Sequence, residues 1–482
     1  MKMRKYITLL AALCIFTTGF SQTCNCESNF EWVKKTFEEN DAGFEYILER
    51  KGQQAYEDHN RRILSKVKNT QNLQDCSSLL YDWLEFFRSG HISIRLTDIP
   101  QQETALPVQQ DFSNWEQFRI NLPEFEKYLK KKKDHDLEGI WETGPYKIAI
   151  KKKGNQYIGT IVTSGAETWT KNQVKLKTDE NMEHVVFYMR DHSAIDSEKI
   201  KFLGNNYVQI GNIQLKRSFP VLPADENVER YLTMLTTTKP YLEQLNRNTL
   251  MFRIPSFNQQ SKAAIDSVIQ NNRDLILKTE NLIIDIRNGT GGSDSSFREL
   301  LPILYTNPIR TVGVAYRSTK LNNQRMLDFI NKPEYGLDEE DKKWARTAYE
   351  NLEKNLGKYM RINQYDVTLT QLDTVYPYPK NVGIVINRGN GSTDEQFLLA
   401  AKQSKKVKLF GTTTHGVLDI SNMYYIDSPC KEFQLGYALS KSKRIPDFAI
   451  DEIGIQPDFF MDADIPEYDW IDYTDKILNG KP

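Results

Sequence analysis

The sequence lacks the features that mark several large classes of protein. Its formal net charge is −1 over 482 residues, so no excess charge indicates binding to nucleic acid or to an anionic membrane surface. Beyond residue 20 no apolar run is long enough to span a membrane. The chain also has no fixed-period repeat and no low-complexity tract. The composition therefore predicts a globular protein without a nucleic-acid partner and without a membrane span.

Cysteine and histidine are scarce as well. The chain has five cysteines and six histidines. Cys24 and Cys26 are separated by a single residue, which is closer than the usual spacing of zinc ligands, and no histidine cluster lies near them. We therefore predict no metal site and no cofactor.

The N-terminus has the pattern of a signal peptide. Residues 1–21 begin with the basic stretch "MKMRK", continue through a mostly apolar segment and end at the small residue Ser21. This pattern predicts export to the periplasm or the cell exterior, where disulfides persist. Four cysteines would remain after cleavage: Cys24, Cys26, Cys76 and Cys430. We expect Cys76 to pair with Cys24 or Cys26, and the sequence leaves that choice open.

Three kinds of pattern divide the rest of the chain. Residues 22–136 carry apolar residues at three-to-four spacing and predict an N-terminal helical domain, with a strand that begins at His91. Residues 137–218 are short alternating runs and predict a small antiparallel β barrel or sandwich whose aromatic residues form its own core. Residues 219–482 alternate strand and helix patterns, which predict a mainly parallel sheet with crossover helices, and include a charged helical excursion at 317–361. The predicted fold class is α/β, within a multidomain α+β arrangement.

One turn in the last region has two interpretations. The stretch "NRGNGSTDEQF", Asn387 to Phe397, follows the apolar run "VGIVI" and precedes a helical pattern. Ser392 and Glu395 have the spacing of a capping box, in which each side chain bonds to the other residue's amide. A serine at such a turn also lies beside free helix amides, where an oxyanion is stabilised. The local sequence therefore allows two roles for Ser392, a helix cap and a nucleophile.

A second turn is rich in glycine. The stretch "DIRNGTGGSD", from Asp285, follows the apolar run "NLII" and has three glycines within four positions. Glycine allows a sharp turn and close approach of the backbone to a ligand, so the amides of Gly291 and Gly292 are candidate anion donors. No Lys-Ser/Thr pair follows, which argues against a phosphate loop. A tight strand–helix turn without a ligand is the alternative.

Four motifs occur in a fixed order: "LIIDIRNGTGGSD", "VGIVINRGNGSTDEQF", "FGTTTHGVLDISN" and "GIQPD". Together they resemble the core of the tail-specific and tricorn-core serine peptidase family. The resemblance covers roughly residues 249–458. It implies a C-terminal α/β catalytic core of the tail-specific peptidase type and an endopeptidase that acts on peptide or protein substrates.

The resemblance also implies a set of site residues. Val417 follows the Gly-x-x-Thr-x-Gly strand, so the lysine base of the C-terminal processing branch is absent. "RSGHISIRL" matches the N-terminal histidine of the tricorn-like branch, and "DEIGIQPD" has a glutamate at the position of the supporting acid. The implied roles are the nucleophile Ser392, the base His91, the acid Glu452 and the oxyanion donors Gly291, Gly292 and Thr393.

Elementary chemistry agrees with a histidine base. Serine is a weak nucleophile that needs an adjacent base, and histidine exchanges a proton near neutral pH. Among the six histidines, His415 is the main rival to His91 because it lies within a core motif. Since His91 and Ser392 are far apart in sequence, their pairing requires the N-terminal segment to fold against the core.

Two positions depart from the family pattern. Gly289 stands where the family usually has asparagine, and Gly90 stands where tricorn-like members have serine. The 137–218 region also differs from the peptide-end-binding PDZ domain that family members often carry. These differences leave a non-catalytic binding protein on the same scaffold as an alternative function, and an esterase as a further one.

Overall fold

The computed structural model describes residues 24–97, 112–197 and 199–480. The predicted signal peptide, residues 1–21, lies outside them. The chain forms two compact units. The first unit comprises Met1–Gln101, Val312–Thr368 and Asp419–Glu452, and the second comprises Gln102–Thr311, Leu369–Leu418 and Ile453–Pro482. Each unit is thus built from segments that are distant in sequence.

The helices of the described residues are numbered in chain order. They are α1 (Cys26–Asn40), α2 (Phe44–Lys51), α3 (Gln53–Val67), α4 (Leu73–Glu85), α5 (Leu122–Lys131), α6 (Glu226–Thr236), α7 (Lys262–Asn271), α8 (Arg273–Ile276), α9 (Leu301–Leu304), α10 (Lys320–Asn331), α11 (Glu339–Glu353), α12 (Thr393–Ala401) and α13 (Trp470–Leu478).

The strands are numbered in the same way. They are β1 (Ser93–Leu96), β2 (Gly139–Thr143), β3 (Tyr146–Lys153), β4 (Gln156–Ser164), β5 (Val174–Asp179), β6 (Val185–Tyr188), β7 (Ala194–Ser197), β8 (Lys201–Leu203), β9 (Tyr207–Ile210), β10 (Ile213–Phe219), β11 (Tyr241–Gln244), β12 (Thr249–Arg253), β13 (Asn281–Asp285), β14 (Ile309–Val312), β15 (Val314–Arg317), β16 (Tyr359–Met360), β17 (Val367–Thr370), β18 (Asn381–Ile386), β19 (Val407–Gly411), β20 (Ile420–Asp427), β21 (Phe433–Ser442) and β22 (Phe459–Phe460).

The first unit joins helices to a small sheet. Strands β1, β21, β15 and β16 lie side by side in that order, and β20 also pairs with β21. Phe30, Val33 and Phe37 lie on one face of α1 because their spacing matches the helical repeat, and all are buried. Their core also contains Trp83 of α4 and Leu435 of β21. This packing anchors β1, which begins two residues after His91.

Residues 317–361, which the sequence assigns to an excursion from the catalytic core, contain α10 and α11 and belong to the first unit. Their packing forms a separate small core around Met326, Ala348 and Leu352. The helical character of this segment is therefore as predicted, and its main packing partners lie within the first unit.

The second unit contains a nine-stranded antiparallel sheet. Its strand order is β7-β6-β5-β4-β3-β2-β10-β9-β8. The predicted antiparallel region is confirmed, and its aromatic side chains, such as Trp141 and Trp169, are buried in its own core. Lys175 is buried there, and its Nζ lies 3.8 Å from the centre of the Trp169 ring. Burial lowers the pKa of Lys175 to about 7.

The second unit also contains the mainly parallel sheet that the sequence predicts. Its order is β11-β12-β13-β18-β19-β22, and every pair except β11 with β12 is parallel. β13 is buried along its whole length, and β18 from Val382 onward. This burial is typical of parallel strands and explains their nearly continuous apolar sequences. The carboxyl ends of neighbouring parallel strands lie at one edge, so the turns after β13 and β18 lie together.

Two disulfides lie in the first unit. Cys26 is bonded to Cys76, which is one of the two pairings expected for Cys76. Cys24 is bonded to Cys430, a partner that the sequence analysis did not assign. Both bridges attach the start of α1 to segments far along the chain. In the described part of the chain, none of the helices combines the length and the apolar character that a membrane span requires.

The bridges should contribute measurably to stability. We expect the Cys26→Ser/Cys76→Ser variant to lose about 2–5 kcal/mol of unfolding free energy, because the bridge restricts the unfolded chain. Denaturant titration of the mature protein measures this loss, with the oxidised wild type as the reference. Peptide mapping without reduction should recover both bridges. Recovery of four free thiols would contradict the assignment.

Candidate active site

Ser392 lies at a sharp turn between β18 and α12. It is half-buried, and its backbone has φ 57° and ψ −118°. An ordinary N-cap residue is extended, whereas this positive φ is strained for a residue with a side chain, by about 1–3 kcal/mol. A serine on a strained strand-to-helix turn is the geometry of a nucleophile elbow, in which the hydroxyl is exposed at the sheet edge. The capping box of Ser392 and Glu395 is present, but the backbone of Ser392 is unlike that of a simple cap.

The glycine-rich turn after β13 touches this serine. Gly291 has φ 84°, and a Cβ added to it would lie 2.8 Å from the Ser392 Cβ and 3.1 Å from the Thr393 nitrogen. Gly292 has φ 148°, and a Cβ there would lie 2.2 Å from the Phe257 oxygen. Only glycine fits at either position. The turn thus brings Gly291 directly beside Ser392 and the first amide of α12, where an anion would be stabilised.

Glu395 holds the elbow in place. Its Oε2 accepts hydrogen bonds from the amides of Ser392 at 3.2 Å and of Val417 at 2.9 Å. Its Oε1 accepts from the Thr414 hydroxyl at 2.5 Å and from the Gly416 amide at 2.7 Å. Burial raises the pKa of Glu395, while these donors act in the opposite direction. With four donors, this carboxyl joins the loop after β19 to the serine turn.

Asp394 is a site residue that sequence reasoning missed. Its side chain is fully buried, and its Oδ2 accepts from the Asn390 amide group at 3.0 Å. A Cβ added to Gly289 would lie 2.7 Å from this Oδ2. The Asp394 carboxyl therefore occupies the space beside the position at which the family usually has asparagine. A glycine at 289 in the sequence could have signalled a compensating side chain, but nothing identified it as Asp394.

A buried ion pair between Asp285 and Arg287 lies at the end of β13. The Arg287 guanidinium donates to Asp285 Oδ1 at 3.1 Å and to Oδ2 at 2.8 Å, and Arg253 donates to the Asp285 carbonyl at 3.1 Å. Burial alone would raise the pKa of Asp285, but the two guanidiniums lower it overall. The Asp-x-Arg sequence before the glycine-rich turn thus has a structural role.

His91 lies in the first unit and is half-buried. Its Nδ1 is 2.6 Å from the Ile420 carbonyl oxygen. A carbonyl can only accept, so Nδ1 carries a proton, and in the neutral ring Nε2 is the acceptor nitrogen. Arg88 donates to the carbonyls of Gly90 at 3.0 Å and His91 at 2.9 Å, and forms a buried ion pair with Asp41. The backbone around Gly90 is therefore fixed without a serine side chain.

Asp451 binds the backbone next to the carbonyl that faces His91. Its carboxylate accepts from the Asp419 amide at 2.6 Å and from the Ile420 amide at 3.2 Å. Asp419 is itself buried, accepts from the Ile450 and Asp451 amides, and pairs with Arg444 at 3.1 Å. Asp451 was the alternative to a serine as the link to His91, whereas Asp419 and Arg444 were not predicted, because bonds from a carboxylate to distant groups leave no local pattern.

Glu452, the predicted supporting acid, also lies in the first unit. Its side chain is 40% exposed, and a carboxylate oxygen lies 3.6 Å from the Arg50 guanidinium. The His91 Nδ1 bond goes to the Ile420 carbonyl. Glu452 would therefore act on the His91 imidazole through its charge, and it would not orient the ring.

His415, the rival base, lies in the second unit. The His415 amide donates to the Asn390 carbonyl at 2.7 Å. A Cβ added to Gly391 would lie 3.5 Å from the His415 Cβ. Its backbone therefore lies beside the residue that precedes Ser392. Among the described residues, no group of three His, Cys, Asp or Glu side chains is arranged to hold a metal ion.

Comparisons with known proteins identify the core. Residues 248–461 match the model of peptidase family S41, whereas no curated protein matches the chain significantly. The structure of mature CPAF complexed with lactacystin is similar, with a TM-score of 0.52 and 12% identity over 94% of this chain and 97% of that one.

Two further structures align with lower scores. The tricorn protease has a TM-score of 0.40 and 11% identity over 95% of this chain and 37% of that one. The photosystem II D1 C-terminal processing protease has a TM-score of 0.37 and 11% identity, over 95% of this chain and 97% of that one. The comparisons have one result: residues 248–461 of this chain match peptidase family S41, and the chain shares the fold of the CPAF structure.

Proposed function

We propose that the protein is an exported serine endopeptidase in which Ser392 forms an acyl-enzyme and His91 is the general base. The observation that carries this proposal is the strained backbone of Ser392 beside Gly291. A cap needs no such strain, because an extended serine satisfies the helix amides equally well. Strain of this kind persists at functional sites, where it presents a side chain for reaction.

The reaction proceeds through two acyl-transfer steps. The Ser392 oxygen attacks the carbonyl carbon of the scissile peptide bond while His91 Nε2 takes its proton. The amides of Thr393 and of Gly291 or Gly292 stabilise the oxyanion. The C–N bond then breaks, and His91 gives the proton to the departing amine. In the second step water attacks the acyl carbon, His91 takes the proton of the water, and Ser392 leaves with that proton restored.

The tautomer of His91 supports its role. The Ile420 carbonyl holds the proton on Nδ1, which leaves Nε2 as the acceptor that a base requires. Asp451 binds the amide of Ile420, the residue whose carbonyl contacts the ring, and thereby helps to orient the ring. Glu452 contributes negative charge that favours the imidazolium formed during the reaction. The position of His91 outside residues 248–461 is consistent with a base supplied by an N-terminal segment.

Export is the second part of the proposal. Disulfides are typical of proteins in oxidising compartments, and Cys24 and Cys26 are both bonded. The basic and apolar character of residues 1–21 is that of a signal peptide. The substrates would accordingly be peptides or proteins of the periplasm or the cell exterior.

Replacement of Ser392 tests the nucleophile. We expect Ser392→Ala to abolish labelling by a fluorophosphonate probe and to lower peptide cleavage by at least about 10³-fold. The free energy of unfolding should change little. If Ser392 were only a helix cap, its replacement would instead cost about 1 kcal/mol of stability and leave turnover unchanged. Ser267→Ala, at an exposed serine on α7, is the matched control. Cleavage by Ser392→Ala at the wild-type rate would refute the proposal.

Replacement of the two candidate histidines tests the base. His91→Ala should reduce kcat by about 10²–10⁴-fold, which is the usual contribution of general acid–base catalysis. His415→Ala should retain most activity. The Ser392→Ala/His91→Ala double variant should be no worse than Ser392→Ala alone, because the pair acts as a unit. A large loss in His415→Ala together with normal kcat in His91→Ala would assign the base to His415.

The supporting carboxylates can be ranked. Asp451→Asn should lower kcat by roughly 10- to 100-fold, because a displaced Ile420 peptide misdirects the His91 ring. Glu452→Gln should have a smaller effect, since its carboxylate is exposed and screened by solvent. Steady-state kinetics on a cleaved peptide, with thermal melts in parallel, measures both. A stronger effect of Glu452→Gln would reverse the assigned roles.

A further inference from the structure

Asp394 joins the two turns of the active site. Its Oδ2 accepts from Asn390 Nδ2 at 3.0 Å, and the same Nδ2 lies 2.5 Å from the Ile286 carbonyl oxygen. The backbone groups of Gly291 and Gly391 also act on this carboxyl and lower its pKa. The Asp394 side chain therefore contacts the turn after β13 on one side and the turn after β18 on the other.

The space that the carboxyl occupies is set by Gly289. A Cβ on this residue would lie 2.7 Å from Asp394 Oδ2 and 3.1 Å from Oδ1. The turn after β13 approaches the carboxyl this closely because residue 289 has no side chain. The position of Gly291, which touches Ser392, thus depends on the carboxyl two residues after the serine.

The surroundings of Asp394 disfavour a negative charge. Its Oδ1 is buried and has no hydrogen-bond partner among the described residues. The charged neighbours are the buried Glu395 carboxyl, which opposes ionisation, and the Arg253 guanidinium, which favours it. Arg253 already donates to Asp285. An ionised oxygen without a partner in a buried site is costly, whereas a protonated carboxyl is much less so.

We propose that Asp394 is a positioning residue that holds Gly291 against Ser392, and that it does so in its neutral, protonated form. The proposal rests on the proposed Ser392 chemistry. A neutral carboxyl accepts from Asn390 without placing an anion beside the developing oxyanion. An ionised carboxyl would repel that oxyanion and would compete with it for the Gly291 amide.

The pH dependence follows from the sign of the shift. Burial raises the pKa of Asp394 from 3.8 to about 7, with Asn390 and two backbone amides opposing the rise. The neutral form therefore predominates below pH 7 and is lost as the pH rises above it. The stability that the protonated carboxyl contributes is complete below the unfolded value of 3.8 and is lost as the pH rises through about 7.

The decisive experiment compares the kcat–pH profiles of the wild type and Asp394→Asn. Asparagine has nearly the shape of the protonated acid and cannot ionise. We expect wild-type kcat to fall above pH 7 by about tenfold per pH unit, hence about 100-fold at pH 9, and the kcat of Asp394→Asn to stay level over that range. Identical alkaline limbs, or a difference confined to KM, would overturn the proposal.

Two further variants separate position from charge. Asp394→Ala should have a kcat roughly 100-fold below that of the wild type at pH 6, as when an oxyanion donor is lost, and should show no fall above pH 7. Gly289→Ala should also lose kcat, because its methyl group displaces the carboxyl, and Gly289→Ala/Asp394→Ala should be no worse than Asp394→Ala. Full activity of Asp394→Ala at pH 6 would refute the positioning role.

Fluorophosphonate labelling distinguishes this failure from failure of the proposed function. If the wild type is labelled at pH 6 and Ser392→Ala is not, the assignment of Ser392 as the nucleophile holds, independent of the role of Asp394. If Ser392→Ala is labelled as well, the site assignment itself has failed. Thermal melts of each variant at pH 6 show whether lost kcat comes from unfolding. Since Asp394→Asn keeps the shape of the acid, its kcat–pH profile decides the matter even if Asp394→Ala does not fold.

Discussion

The parallel pairing of β13 with β18 is the constraint on which the serine site depends. The two strands run in register, with Asp285 opposite Val385, and both are buried in the same sheet. Since they run in the same direction, the chain leaves both at one edge. The glycine turn and the serine turn therefore meet although about a hundred residues separate them in sequence. The Asp285–Arg287 pair fixes the point at which the first strand ends.

A strained serine requires surroundings that hold it rigidly. Glu395 supplies one constraint through four hydrogen bonds, and Gly291 supplies another through contact with the Ser392 Cβ. Asp394 adds a third from the opposite side of the turn. Three consecutive polar residues of α12, Thr393 to Glu395, are buried at its first turn. That burial is unusual for a surface helix and is explained by these contacts.

Much of the core could be predicted from sequence because its signals are local. The apolar runs of β13 and β18, the glycines after the first and the Ser-x-x-Glu after the second each depend on near neighbours. The parts that were missed depend on contacts between distant residues. The Asp394 carboxyl beside Gly289, the Ile420 carbonyl at His91 and the Cys24–Cys430 bridge leave no local pattern. The composition of the first unit from three separate segments has the same cause.

The two disulfides impose an order on biosynthesis. Cys24 and Cys26 lie at the start of α1, and Cys76 is synthesised soon after them, but Cys430 follows Cys24 by 406 residues. Until Cys430 is synthesised, both early thiols compete for Cys76, and nearly equal loops favour neither of them strongly. A bond between Cys24 and Cys76 would have to be exchanged before the native pairs could form. In an oxidising compartment, any chain that first pairs Cys24 with Cys76 therefore needs thiol–disulfide exchange before it can reach the native pairs.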